Sequence, residues 1–433
     1  MKTIFQCLAL LAGILSLFSS GSNAQWVETG GPSIGGTVQA LVFIGANLFA
    51  GTNGGVFVTS DGGTTWADAS SGLTNGVVHA LAVSGANLFA GTNGGVFVTN
   101  NGGTSWAAIS SGLTSPYIKS LAVSSNGIGG TNLFAGTDGG GVCLSTNNGT
   151  SWTAVNSGLT SGGIYSLAVS PDASGNLYAG TGGGVFLSTN NGASWVAVNS
   201  GLPSPPFSVV YSLVFSPASG VIGQMNLFAG TFGGVFLSTN NGTSWAPANS
   251  GLPPTIYVRS LVIPDSSGNL FAGTEGTGVF LSTNNGASWT AVNSGLTNTY
   301  GYTFAISDEI LFLGTEGSIV WRRPLSEMIT SVETSPGYLP THFSLGQNYP
   351  NPFNPSTTIL YELPERSFVT LKIYNILGQE VATLVNGIEE PGSKQARFNG
   401  NNFSSGVYFY RLMTVGVGKN GQSVAVKKMM LIK

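Results

Sequence analysis

The chain has 433 residues, of which 7% are charged and 42% hydrophobic, with a formal net charge of −3. Average domains carry about 25% charged residues, so this surface must be mostly Ser, Thr, Asn and Gly. No basic stripe is present for nucleic acid to neutralise, and the hydrophobic content, aromatics included, is ample for a core, which argues against disorder. At the start, Met1-Lys2 precedes an apolar run from Ile4 to Phe18 and the small-residue end Ser22-Asn23-Ala24. That pattern predicts a secretory signal peptide over residues 1–24 and a mature start near Gln25, with the run too short for a membrane anchor. Cys7 lies inside the apolar run and not at its cleavage end, so no lipid anchor is expected there. Cys143 is then the one remaining thiol and has no partner for an internal disulfide; it stands where sister repeats carry Phe, which predicts a buried strand residue.

From Gln25 to Trp321 two motifs alternate. LFAGT begins at Leu48, Leu88, Leu133 and Leu227, with LYAGT at Leu177, FAGT after Leu270 and LFLGT at Leu311, making seven copies 40 to 50 residues apart. Between them run TSDGGTTW, TNNGGTSW and STNNG[T/A]SW, ending at Trp66, Trp106, Trp152, Trp195, Trp245 and Trp289. The Asp/Asn-x-Gly core, with Asp61 and Asn147 as examples, supplies residues that tolerate a left-handed backbone and bond neighbouring backbone groups, so each copy reads as a turn between strands with the Trp opening the second. Every unit divides into four short strands, SLAVS-like, NLFAGT-like, GVFLST-like and SWTAVN-like. Their continuous apolar runs fit sheets buried on both faces, and four strands at this period describe propeller blades. The last unit stops at GSIVWRR without a fourth strand, whereas Trp26 in WVETGGP aligns with Trp66 in WADASSGL. The N-terminal strand is therefore expected to complete the blade built from Tyr300 to Trp321, closing seven blades into a ring without an open edge.

The Ser/Thr-x-Asp/Asn-x-Gly-x-Ser/Thr-Trp pattern resembles the Asp-box, or BNR repeat, of sialidase-like propellers. The resemblance implies that the box is a folding element on the face away from any ligand. A candidate site belongs instead where the blades differ. Just before each innermost strand they carry Gln39, His79, Lys119, Tyr165, Tyr211, Arg259 and Tyr302; after each LFAGT they carry Asn53, Asn93, Asp138, Gly182, Phe232, Glu275 and Glu316. Both columns fall at one mouth of the central channel, opposite the boxes, and together form a mixed aromatic and polar surface suited to recognition. The plainer reading is channel-mouth packing, with Lys119–Asp138 and Arg259–Glu275 as cross-strand pairs and the tyrosines as caps. His79, without a second His in the propeller, reads as a solvated polar residue and not as a base.

After Arg323 the repeat ends. Residues 324–342 carry Pro, Ser and Glu without pattern and read as a linker. From Phe343 to Lys433, alternating strands ILYEL, VTLKIYN, VYFYRLM and VAVKKMMLI predict a small antiparallel Ig-like β-sandwich. QNYPNPFNPSTTI, IYNILGQEV, SSGVYFYRL and the terminal KKMMLIK resemble the C-terminal sorting domain of the bacterial type IX secretion system. That resemblance implies the secretion machinery as partner and a final location outside the cell or on its outer surface.

The chain is thus expected to be all-β, a seven-bladed propeller followed by a sandwich. Three functions follow for the propeller: a non-catalytic module binding glycan or protein at the channel mouth, a glycoside hydrolase, or an architectural surface repeat. A hydrolase needs two carboxylates flanking a sugar, and Asp138, Glu275 and Glu316 are the ones in the favourable column. Sialidases also need three arginines for the substrate carboxylate, and this ring offers one, Arg259. No metal or cofactor is expected; the NNG loops lack the terminal Glu of an EF-hand.

Overall fold

The computed structural model describes residues 25–432 apart from 33–35, 126–130, 173, 205–207, 218–224, 265–267, 308, 330–341, 349–350, 352 and 418–421. The expected signal peptide and most of the expected linker lie outside the described residues. The chain is all-β: apart from two short 3-10 turns, Glu316–Ser318 and Leu325–Glu327, the regular structure among the described residues is strand.

Seven four-stranded antiparallel sheets precede the C-terminal unit. Six are meanders in chain order, as in Val38–Ile44, Asn47–Thr52, Gly55–Thr59 and Ala67–Asp68. Their first strands pack side by side through Val78–Ser84, Ile118–Ser125, Ile164–Val169, Val210–Pro217 and Val258–Val262 to Gly301–Ser307, which packs back on Val38–Ile44. The ring is closed. In each second strand the LFAGT-type residues are buried, so this is an interior sequence. Its glycine has a packing reason. A Cβ at Gly51 would stand 2.7 Å from Val78 of the next blade, and one at Gly314 would stand 2.6 Å from Val38, where the ring meets itself.

The seam is made as the aligned tryptophans predict. Val27–Glu28 pairs with Val320–Pro324 through Val27↔Arg322 and Glu28↔Trp321. Trp26 is 2% exposed, and its indole donates to the Val292 carbonyl at 2.7 Å. Packing there continues past Arg323: Met328 is buried with Trp26 and Trp321. Cys143 is fully buried on a third strand, as its alignment with Phe predicts.

The C-terminal unit stacks a three-stranded sheet, Ser344–Leu345, Ser356–Leu363 and Gly392–Asn399, on a four-stranded one ordered Glu380–Glu389, Ser367–Tyr374, Gly406–Gly416 and Gln422–Leu431. Ile359, Leu363, Val369, Leu371, Ile373, Tyr410, Leu412 and Met429 form a core with no exposure between them. The QNYPNPFNP run holds the last strand in place. Gln347 Nε2 donates to the Lys428 carbonyl at 2.7 Å, Asn351 Oδ1 accepts the Met430 N–H at 2.9 Å, and Phe353 exchanges backbone bonds with Met430 and Ile432.

Candidate functional site

The two ends of the propeller ring are built differently. At one end lie the six Asp/Asn-x-Gly turns. Asp61 accepts the Thr59 hydroxyl at 2.8 Å, the Thr65 backbone N–H at 3.0 Å and the Thr65 hydroxyl at 2.7 Å. These donors, the Thr65 N–H foremost, hold its carboxyl down at about 2. Asn147 does the same work with a reversed bond: its Oδ1 accepts from Ser145 and the Ser151 N–H, while its Nδ2 donates to Ser151 Oγ at 2.9 Å. The next residue is left-handed, Asn148 at φ 57° and Gly62 at φ 71°, which is the conformation the motif was read to require. The outer strand begins one residue after the Trp and spans two residues, so the Trp serves as a staple ahead of the strand. The indoles of Trp106, Trp152, Trp195, Trp245 and Trp289 donate to carbonyls of the preceding blade, as in Trp152 to Ile109 at 2.6 Å and Trp195 to Val155 at 2.7 Å. Trp66, next to the composite blade, leaves its Nε1 buried without a partner.

At the other end, Gln39, His79, Lys119, Tyr165, Tyr211, Arg259 and Tyr302 each sit where the pairing of first and second strands slips by one residue. Each is the extra residue of a β-bulge. A bulge leaves one residue outside the ladder and re-aims its side chain, which frees its identity from the pattern that governs its neighbours. All seven are half-buried. In five blades the residue after LFAGT donates its backbone N–H to the carbonyl two places before the bulge, which sets the two columns side by side; Asn53 to Thr37 and Glu275 to Tyr257 are examples.

Side chains then link within and between blades. Within a blade, Gln39 reaches Asn53 at 3.5 Å, His79 Nε2 lies 2.8 Å from Asn93 Oδ1, and Arg259 Nε donates to Glu275 at 2.7 Å with Nη2 2.5 Å from the same oxygen. Between blades, Lys119 Nζ stands 3.4 Å from His79 Nε2, Tyr165 and Tyr211 rings lie 5.7 Å apart, and the Arg259 guanidinium sits 4.2 Å above the Tyr211 ring. Tyr165, Tyr211, Arg259 and Glu275 therefore form one unbroken run across three blades. Arg259 and Glu275 are a cross-strand pair. Lys119 and Asp138 form no ion pair among the described residues; the Lys119 ammonium lies instead by His79 of the preceding blade. Burial, with Lys119 adding to it, holds the His79 imidazole below its ordinary value and so neutral. Burial pushes the Tyr211 and Tyr302 hydroxyls up, and for Tyr302 the Glu275 and Glu316 charges act in the same direction.

The column two places before the bulge was missed in the sequence. It places Tyr117 and Tyr300, 51% and 39% exposed, beside the site, and Tyr257 edge-on to Phe232 with ring centroids 3.8 Å apart. Counting back from the aligned bulge residues would have found it. Glu316 also differs from its column, lying in a 3-10 turn and not in a hairpin. No group of three or more His, Cys, Asp or Glu side chains among the described residues is arranged to hold a metal.

Residues 347–431 match the model of the secretion system C-terminal sorting domain. The chain is addressed to the cell surface or beyond it. The sorting domain engages the type IX secretion machinery, and among the described residues no helix is long and apolar enough to cross a membrane. No curated protein matches the chain in sequence. Among solved structures it is similar to PorZ, a surface component of the type-IX secretion system of Porphyromonas gingivalis, with a TM-score of 0.54, 15% identity and 92% of this chain covered. The chain spans 60% of that protein's length. It is also similar to YCF48 from Cyanidioschyzon merolae, with a TM-score of 0.51, 16% identity, and 70% of this chain and 99% of the other covered. The WD40 propeller domain of Doa1 scores 0.53 at 13% identity, with 69% and 96% covered. These likenesses concern the fold, and the Doa1 domain is a β-propeller.

Proposed function

We propose that the chain is an exported recognition module that binds glycan through the bulge end of its propeller and does not transform it. The observation that carries this reading is the run Tyr165–Tyr211–Arg259–Glu275, in which aromatic rings and a guanidinium are held in mutual contact at positions the fold leaves free to vary. Tyrosine rings offer flat apolar faces with a polar tip, which suits stacking against sugar rings. Glu275 is engaged by Arg259, which takes it away from the paired-carboxylate chemistry of a glycoside hydrolase. PorZ is described as an essential bacterial surface component, and a surface role fits this chain too.

The same proposal reads the six turns as Asp-boxes, on the strength of their shared hydrogen bonds and tryptophan staples. It divides the chain into a signal peptide (1–24), propeller (25–323), linker (324–342) and sorting unit (343–433). In the sorting unit, Phe368 lies in register with Val415 and Ile388, and these three are exposed with Val424 and Val426. That apolar sheet face offers the secretion machinery a surface to read.

The test is a polysaccharide panel probed with the secreted chain, with sugar release measured in the same wells. Retention without release, lost in Tyr165→Ala/Tyr211→Ala, is the expected result. Release of reducing sugar that disappears in Glu275→Gln would replace this reading with the hydrolase.

A further inference from the structure

The bulge end is not equally furnished around its circumference. In six blades a side chain flanks the bulge residue from the column after LFAGT; in the fourth blade that position is Gly182. Two places before the bulge the other blades carry Thr37, Val77, Tyr117, Val209, Tyr257 and Tyr300, and the fourth carries Gly163. Neither position is crowded. A Cβ at Gly182 would find one atom within 4 Å, Tyr165 Cε2 at 3.9 Å. A Cβ at Gly163 would meet the Tyr165 hydroxyl at 3.7 Å and Asp138 Oδ1 at 3.8 Å. Neither glycine has the positive φ that would demand glycine for the backbone's sake, so the missing side chains are not a requirement of the turn.

The result is a notch in the rim. Tyr165 borders it on two sides, Tyr211 backs Tyr165 from the fifth blade, and Asp138 enters from the third. The Asp138 carboxylate has no ion pair and no hydrogen-bond donor among the described residues, whereas Glu275 is held by Arg259. An aromatic face beside an unoccupied acceptor suits a ligand with a C–H face and hydroxyl donors, and a negative charge at this place disfavours an anionic one.

Resting on the glycan reading above, we propose that the fourth-blade notch seats one uncharged pyranose residue, stacked on Tyr165 with its hydroxyls donating to Asp138. The glycines are then specificity devices. They keep vacant the space that sister blades fill.

Sister blades also supply the test. Gly182→Asn installs the residue of blades one and two, and Gly163→Val that of blades two and five, each at a backbone conformation that accepts it. The secreted full chain would be titrated by saturation-transfer NMR and calorimetry with methyl glucoside, methyl galactoside, methyl mannoside and N-acetylglucosamine, with glucuronate as the charged probe. The expected result is binding of an uncharged probe, weakened about tenfold or more in each glycine variant and in Tyr165→Ala, with melting temperatures of the glycine variants unchanged, and weaker binding of glucuronate. Glycine variants that bind as the wild type does, while Tyr165→Ala/Tyr211→Ala does not, would overturn the notch and leave the glycan face standing. Glucuronate binding tighter than every neutral probe would overturn the ligand class. A wild type that binds none of the probes would overturn the notch; retention on the polysaccharide panel would then decide the face separately.

Discussion

At one end of the propeller the same turn is made six times, with Asn147 and its counterparts bonded alike; at the other end seven bulges carry Gln, His, Lys, Tyr, Tyr, Arg and Tyr. The contrast has a physical origin. Each of these turns holds a left-handed residue and a side-chain-bonded loop, and in five of the six the following tryptophan bonds the preceding blade, so substitution there breaks bonds that the fold uses. A bulge residue has left the ladder, so the sheet does not constrain its side chain. Uniformity marks what the fold needs, and variation marks what it leaves free.

Substitutions can break or sharpen that contrast. The largest effect is expected at the uniform end. Trp195→Ala removes a side chain 3% exposed together with its bond to Val155, and should cost about 3–5 kcal/mol, lowering the melting temperature by roughly 10 °C. A loss of less than about 1 kcal/mol would mean the tryptophans are not staples. A smaller effect separates one staple from the rest. Trp195→Phe gives up a satisfied indole bond and should cost about 1 kcal/mol more than Trp66→Phe, which gives up an indole nitrogen with no partner. Equal costs measured by denaturant unfolding would show that Trp66 has a partner after all. The smallest effect belongs to the varied end and depends on pH. The His79 pKa is lowered by burial, so the unfolded chain binds a proton near the ordinary value of 6.5 that the folded chain does not. Its contribution to stability is complete above that value and declines as pH falls below it. His79→Gln, which installs the residue of blade one, should flatten the fall in melting temperature between pH 7 and 5; an unchanged slope would count against the buried neutral imidazole.

Much of this was legible in the sequence because repetition makes alignment possible within one chain. LFAGT copies outnumbering the boxes by one, together with the match of Trp26 to Trp66, led to the seam and to the ring of seven sheets. The two varied columns were found in the same way. The bulges were not, because one extra residue at the start of a strand leaves no mark in a hydrophobic pattern. The neighbour of Lys119 was hidden as well, because a contact between blades cannot be read from the pairing of strands within one: its ammonium lies by His79. In the sorting unit, Glu380–Glu389 escaped notice because its residues are exposed or half-buried throughout, without the alternation of a strand that buries one face, and Gly392–Asn399 because its alternation is marked by two apolar residues alone, Ala396 and Phe398.

The most direct test of the central claim is hydrogen–deuterium exchange of the full secreted chain with and without a polysaccharide that it retains. Protection is expected at the starts of the inner strands, above all around Tyr165, Tyr211 and Arg259, with the box loops ending at Trp152, Trp195 and Trp245 unchanged. Protection of the box loops with no change at the bulges would place the ligand on the uniform end and contradict the account.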